Sequence, residues 1–204
     1  FKDAPVLGSL LNPANTKAAS LVKWQELSEA LDKALANEQA SAESQEAVQQ
    51  HETAVVAQGI AKAAKLLACQ YQWVITNVPY LARGKQQDAL REFIEQHYPE
   101  GKNDLATAFL DRCLEFCVQG GTSSIVLPQN WLFLTSYKKF RQELLTQDTW
   151  HLIARLGAGA FETISGEVVK AILINLSRGN SASESGGLFG AAEQGNLIRG
   201  VDVS

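Results

Sequence analysis

The sequence predicts an α/β fold: half of an open sheet in which parallel strands carry one reversed strand near the edge, preceded by a helical hairpin. Three observations carry this. The apolar, β-branched runs Trp73–Thr76, Ser124–Leu127, Trp150–Leu156 and Val168–Leu176 have strand character. Stretches with apolar residues at helical spacing separate the first three, and strands joined through helices pair parallel by right-handed crossovers. The last two runs are joined only by the glycine-rich segment Gly157–Gly166, so they pair antiparallel.

Taken in order, Phe1–Thr16 holds Pro5, Gly8 and Pro13 and reads as a loop. Leu21, Trp24, Leu27, Leu31 and Leu35 form one helical stripe. After a polar interval, a second helix over Ala42–Ala68 carries Val48, Val55, Val56, Ile60, Ala64 and Leu67, and the two make a hairpin. Gln86–Tyr98 reads as a helix stopped by Pro99 and Gly101. Asp104–Val118 is a stronger helix, with Gly120-Gly121 as its left-handed cap. Leu134–Leu145 is a further helix. Its Lys138, Lys139 and Arg141 read as a solvated face. Beyond Ser177 the Ser, Gly and Ala content predicts a mobile surface segment. The domain reading is therefore 1–70 loop and helical hairpin, 71–178 α/β unit, and 179–204 flexible segment.

Composition narrows the function classes. With 204 residues, 46% apolar and 20% charged, the chain is long enough for one buried core and too apolar for a disordered tail. The most apolar stretch, Ile125–Leu134, is broken by Pro128, Gln129 and Asn130, well short of the about 20 apolar residues of a membrane span. The opening residues lack a secretory signal pattern. A net charge of −4 and a pI near 5.4 do not advertise nucleic-acid binding, so any such contact relies on local basic groups or a partner domain. Cys69, Cys113 and Cys117 lack metal-site spacing and read as reduced core thiols in a cytoplasmic protein, with no metal expected. His51, His97 and His151 suggest no triad. Gly157-Ala158-Gly159 lacks the third glycine, following helix and acidic partner of a nucleotide loop. A chain that starts at Phe1 and contains no methionine is expected to be a piece of something longer.

The segment that carries chemistry is Asn77-Val78-Pro79-Tyr80, at the carboxyl end of the first strand, where open α/β sheets bind ligands. Asn77 offers a side-chain carbonyl. Pro79 holds Val78 extended, presenting a second acceptor. Tyr80 supplies a flat π face. Two acceptors beside an aromatic plate suit the exocyclic amino group of a planar base.

This segment resembles the Asn-Pro-Pro-Tyr motif of adenine-N6 DNA methyltransferases, and the resemblance runs over roughly Tyr71–Arg178. Asp104–Leu110 is similar to the family's next helix. Gly120–Trp131 resembles its block of paired glycines, strand and Pro-x-x-Trp, and Tyr137–Arg141 the helix after it. Gly157–Val169 is similar to its late loop and final hairpin. The resemblance is in particular to the large methylases of type IIG restriction and BREX-type systems. The resemblance implies a Rossmann-like methyltransferase sheet, S-adenosylmethionine as methyl donor, and double-stranded DNA as partner. It also implies catalytic roles for Asn77, Val78, Pro79 and Tyr80, with the flipped base stacked on Tyr80 and Phe161. Phe161 is otherwise a loop aromatic plugging the core. Arg83 and Lys85 flank the motif as candidate phosphate contacts. Asp104 is either a helix N-cap or a cofactor-side or base-side group. Val78 departs from the family's first proline but keeps the backbone carbonyl.

The glycine-rich donor turn and its acidic partner do not precede Asn77, so no donor-binding residue is assigned. The hairpin resembles an insertion between the donor half and the catalytic half. The chain is then expected to hold the catalytic half, inactive alone and prone to self-association through an uncovered sheet edge. The competing expectation is a non-catalytic α/β interaction module with a vestigial Asn77 loop.

Overall fold

The computed structural model describes residues 3–15, 26, 29, 33, 45–157, 170–179 and 198–203. The chain divides into two compact units, residues 11–69 and residues 1–10 with 70–204.

In the first unit, Pro13–Asn15 form a 3-10 turn beside the 24-residue helix Gln45–Ala68. Of the helix expected over 17–35, only Glu26, Glu29 and Lys33 are described, and they are helical. The stripe Leu21, Trp24, Leu27, Leu31 and Leu35 lies outside the described residues. Along Gln45–Ala68 the buried side is not the expected one throughout. Ala61 and Ala64 are buried, whereas Val55, Val56 and Ile60 are exposed. Small side chains permit close approach, and here they mark the packed side.

The second unit is the α/β body. Its elements are α1 (Ala4–Leu7), β1 (Tyr71–Asn77), α2 (Asp88–His97), α3 (Leu105–Glu115), β2 (Cys117–Pro128), α4 (Lys138–Gln147), β3 (Thr149–Gly157), β4 (Ala171–Ser177) and β5 (Arg199–Asp202). The sheet order is β1-β2-β4-β3-β5. β1 and β2 are parallel, β4 is antiparallel to β2 and β3, and β5 is parallel to β3. The expected α/β class with a reversed strand is what forms, as a partial Rossmann-like sheet. The reversed strand, however, lies between β2 and β3 and not at the edge. A hairpin return from β3 can fill that slot only because the helical crossover carries β3 one place beyond β2. β5 falls within 179–204, where no element was expected. Residues 3–10, expected to group with the segment up to residue 70, belong instead to the sheet unit: Leu7 and Leu10 are buried, and Arg112 Nε donates to the Ser9 carbonyl at 3.1 Å.

Alternation along the strands separates two faces. Ile125, Leu127, Ile172, Ile174 and Leu176 are fully buried on one face, with Ala106, Leu110, Cys113 and Leu114 of α3 and Phe140 and Leu144 of α4. Trp131 sits within this layer, edge-on to Phe140 at 5.5 Å and tilted to Trp150 at 5.9 Å. Cys113 and Cys117 are buried thiols whose pKa values burial pushes up to about 12 and about 11, whereas Cys69, expected in the core with them, is exposed just past the end of its helix. The other face is polar. Trp73 Nε1 donates to Ser124 Oγ at 3.0 Å, and Ser124 Oγ donates to Asn175 Oδ1 at 2.8 Å. Ser177 Oγ joins Thr122 Oγ1 at 2.9 Å and His151 Nε2 at 2.8 Å. Trp73 and Ile75 of β1 remain exposed at 62% and 72%, which leaves an apolar strip on the strand that begins this order. Among the described residues no helix is long and apolar enough to cross a membrane.

Helix α3 stops at Glu115, earlier than its apolar pattern suggests, and Gly120-Gly121 are not its cap. They form a bulge at the start of β2, where the register against β1 jumps from Tyr71↔Cys117 to Trp73↔Thr122. Gly120 takes φ +75°, the left-handed region open to glycine. A Cβ on Gly121 would meet the carbonyl oxygens of Val118 at 2.9 Å and Tyr71 at 3.0 Å. Both are backbone atoms that cannot rotate away. Gly121→Ala is therefore expected to destabilise the protein by about 1–3 kcal/mol, read from urea denaturation midpoints.

Behind α3, a cleft of about 440 Å³ is lined by Glu100, Asp111, Glu115, Glu143, Asp148 and Lys139, among others. Burial, and then the like charges of Glu115, Glu143, Asp148 and Glu100, push the Asp111 carboxyl well above the usual carboxylate range. A raised folded-state pKa opposes folding in full above that pKa, and the penalty fades as pH falls toward the unfolded-state value, below which the group is protonated in both states. Asp111→Asn is thus expected to raise the thermal midpoint at pH 7.5. The difference from the parent protein should shrink as pH falls through the raised pKa toward the usual carboxylate range, which paired melts at pH 7.5 and 4.5 would show.

Candidate active site

β1 runs in register with β2, Ile75 opposite Ser124 and Asn77 opposite Val126, and so delivers Asn77 to the carboxyl end of the sheet. The next four residues alternate in environment. Asn77 is exposed, and its side-chain amide makes no hydrogen bond among the described residues. Val78 is buried at 4% within the core cluster, Pro79 is exposed, and Tyr80 packs half-buried against the same cluster. Burial first, and then the charge of Asp104, push the Tyr80 phenol up to about 12, so it stays protonated throughout the neutral range. Beside this turn lies a cleft of about 490 Å³, lined by Asn77, Val78, Pro79, Leu7, Leu10 and Phe109, among others.

The loop after Tyr80 is tied to the start of α3. Leu105 N–H donates to the Leu81 carbonyl at 3.0 Å, and Arg83 N–H donates to the Asn103 carbonyl at 3.0 Å. Gln86, buried, donates its side-chain N–H to the Leu81 carbonyl at 3.0 Å. Asp104 is the N-cap of α3: its Oδ1 accepts from Ala106 N–H at 2.9 Å. The same oxygen accepts from Leu81 N–H at 3.3 Å. The cap is readable in the sequence as Asp before an apolar helical run. The second bond is not, because nothing local couples positions 81 and 104.

Arg83 and Lys85 lie on one exposed 3-10 turn. Arg83 Nε donates to Glu95 Oε1 at 2.8 Å, and this bond holds the Glu95 carboxyl below its ordinary range. Phe161, the other expected stacking residue, lies outside the described residues. Of the basic face expected on α4, Lys138 is exposed, but Arg141 is committed: its Nη1 donates to the carbonyls of Trp131 at 2.6 Å and Leu134 at 2.8 Å. Lys139 pairs with Glu100 and, at 3.8 Å, with Glu143. Arg112, a residue the sequence reading passed over, is buried at 1%. It bonds Glu115 at 3.0 Å and stacks over Phe116 at 3.8 Å. The available signal was a charge at helical spacing from Leu105, Ala108 and Phe109.

Between Asp104 and the turn after β2 lies a smaller cavity of about 260 Å³, lined by Asp104, Thr107, Asn130, Trp131 and Tyr137, among others. Segments separated by fifty residues thus converge at the carboxyl ends of β1 and β2. An exposed amide, a half-buried aromatic ring and an anchored loop stand together at the end of an α/β sheet where open sheets carry their ligands.

The family described as Eco57I restriction-modification methylase matches over residues 8–161, and the chain belongs to that family. It is similar to the adenine-specific methyltransferase PglX of Lacticaseibacillus casei (strain Zhang), 36% identical over 108 residues, which are 52% of this chain and 9% of that protein. It is likewise similar to the adenine-specific methyltransferase BrxX of Escherichia coli O9:H4 (strain HS), 36% identical over 123 residues, 60% of this chain and 10% of that protein. The chain thus spans about a tenth of the length of these curated relatives. Among solved structures, a DrdV–DNA complex determined by cryo-electron microscopy matches 74% of this chain and 16% of its own, with a TM-score of 0.51 and 15% identity. At that identity the likeness speaks for the fold alone.

Proposed function

We propose that this chain carries the base-accepting half of an adenine-N6 DNA methyltransferase site, within a large protein of the type IIG or BREX-type restriction or phage-defence systems. The observation that supports it above others is Asn77: an exposed amide without a partner among the described residues, on a turn whose next residue is buried. An adenine amino nitrogen is a poor nucleophile because its lone pair is delocalised into the ring. Acceptors at the Asn77 side chain and the Val78 carbonyl bind its two N–H groups and favour a pyramidal nitrogen with a localised lone pair. Catalysis then rests on positioning and electrostatic complementarity. Reaching the site requires the base to leave the duplex, at a cost of a few kcal/mol. Stacking on Tyr80, with Phe161 as the second face, offsets this by about 1–3 kcal/mol per base. Tyr80, protonated at neutral pH, stacks without adding charge. In this reading Pro79 stiffens the turn, and Lys85 with Arg83 meets phosphate. The segment 179–204 leads to a recognition domain, and the compartment is the cytoplasm.

S-adenosylmethionine supplies the methyl group in this reading. The residues present do not fit it: the cleft beside Asn77 is lined mostly by apolar side chains, with no acidic group among the described residues to hold ribose hydroxyls. The donor is then bound by another part of the full-length protein, and this chain works on the acceptor alone. Self-association through β1, where Trp73 and Ile75 are exposed, belongs to the same proposal. Light scattering over a concentration series is expected to show association, and a monomer throughout counts against it.

The competing reading, an interaction module with a vestigial loop, is motivated by valine at position 78. Asn77→Ala in the full-length protein separates the two. The expected outcome is a loss of about 10²–10³ in kcat for N6-methyladenine formation on duplex DNA, by analogy with removal of one oxyanion-type contact. Mass spectrometry of digested DNA provides the readout. Methylation that persists unchanged would sink the enzyme reading of this turn.

A further inference from the structure

We propose that Asp104 is a positioning residue whose single carboxylate oxygen, shared between Ala106 N–H of helix α3 and Leu81 N–H of the Asn77–Tyr80 loop, holds that loop at a set distance from the core. The proposal rests on the reading of Asn77–Tyr80 as the base-accepting turn.

An ordinary N-cap accounts for the Ala106 bond only. The Leu81 bond reaches 23 positions back along the chain and has no part in capping. Asp104 is extended, with φ −145° and ψ 145°, which lets its backbone lie antiparallel to Ala82 as an isolated bridge while its side chain turns to both donors. The Leu105 and Asn103 backbones add one bond each to the same strap. Thr107 Oγ1 sits between the Gly101 carbonyl at 2.5 Å and the Asp104 carbonyl at 2.8 Å, its one proton available to either, which ties down the turn that presents Asp104.

The far end of the strap is rigid. Leu105, Ala106, Thr107, Ala108, Leu110 and Leu114 of α3 are all buried. The loop is therefore held on one side by Val78 in the core and on the other by Asp104, with Pro79 and Tyr80 spanning the interval. A loop free to drift by about 1 Å would lose about 10²-fold in rate for a reaction that depends on geometry.

Two variants separate the roles. In Asp104→Ser the hydroxyl caps α3 but is too short to reach Leu81 as well. In Asp104→Asn the side-chain oxygen keeps both acceptor bonds. In the full-length protein, the Ser variant is expected to lower kcat by about 10²-fold while KM for DNA and donor stays within about twofold, and Asn to stay within about threefold of the parent. Amide hydrogen exchange at Leu81 should be faster in the Ser variant and unchanged in the Asn variant. A Ser variant with parental kcat, an Asn variant as impaired as Ser, or Leu81 exchange unaffected by Ser would each overturn the proposal. Should the parent protein transfer no methyl group, the base-accepting reading fails. The strap is then judged by exchange alone: faster at Leu81 in Asp104→Ser supports it, unchanged refutes it.

Discussion

Burial of Val78 is the constraint on which the candidate site depends. Strand β1 ends at Asn77, and the chain must turn there without losing its place over the sheet. Because the Val78 side chain is held in the same apolar layer as Leu110 and Ile125, the exposed residues on either side of it, Asn77 and Pro79, are set by the packing of the body. A proline at this position restricts the backbone through its ring. Valine restricts it through side-chain burial, worth about 1.5–3 kcal/mol for a residue of this kind. Relative to the Asn-Pro-Pro-Tyr pattern that this turn resembles, valine thus exchanges one source of rigidity for another, and the backbone carbonyl is common to both.

The layer that holds Val78 owes its form to the placement of β4. Running antiparallel between β2 and β3, this strand puts Ile172, Ile174 and Leu176 opposite Leu127, Ile125 and Ser123, so the apolar side chains of both strands face α3 and α4 together. Trp131 follows β2 directly and fills the corner against Phe140 and Trp150. Arg141 then satisfies the carbonyls of the turn that carries Trp131. The opposite face, with its Trp73–Ser124–Asn175 and Thr122–Ser177–His151 bonds, satisfies its polar groups sideways across strands. It leaves two large apolar side chains on β1 in solvent. One sheet therefore has a finished side and an unfinished one.

Much of this was readable from residue order. The β-branched runs placed all four principal strands, and the apolar spacing placed α2, α3 and α4 to within a few residues. Asn-x-Pro-Tyr after a strand is by itself often just a turn, and the motif stood out through the ordered blocks that follow it, Asp104–Leu110, Gly120–Trp131 and Tyr137–Arg141. What the pattern misread were places where local preference met a distant partner. Gly120-Gly121 look like a helix cap, yet they serve a bulge pressed against the Tyr71 carbonyl. Arg141 looks like a solvent-facing charge, yet it binds two carbonyls. Val55, Val56 and Ile60 look like a core stripe, yet alanines mark the packed side of that helix.

Sequence alone determined the α/β class, the reversed strand and the position of Asn77-Val78-Pro79-Tyr80 at a strand end, because each follows from periodicity or chemistry within a few neighbouring residues. Only the tertiary structure decided where the reversed strand inserts, that residues 3–10 join the sheet unit, and that Asp104 reaches back to Leu81. Strand order and long-range hydrogen bonds are settled by which surfaces bury one another, and that competition leaves no periodic trace along the chain.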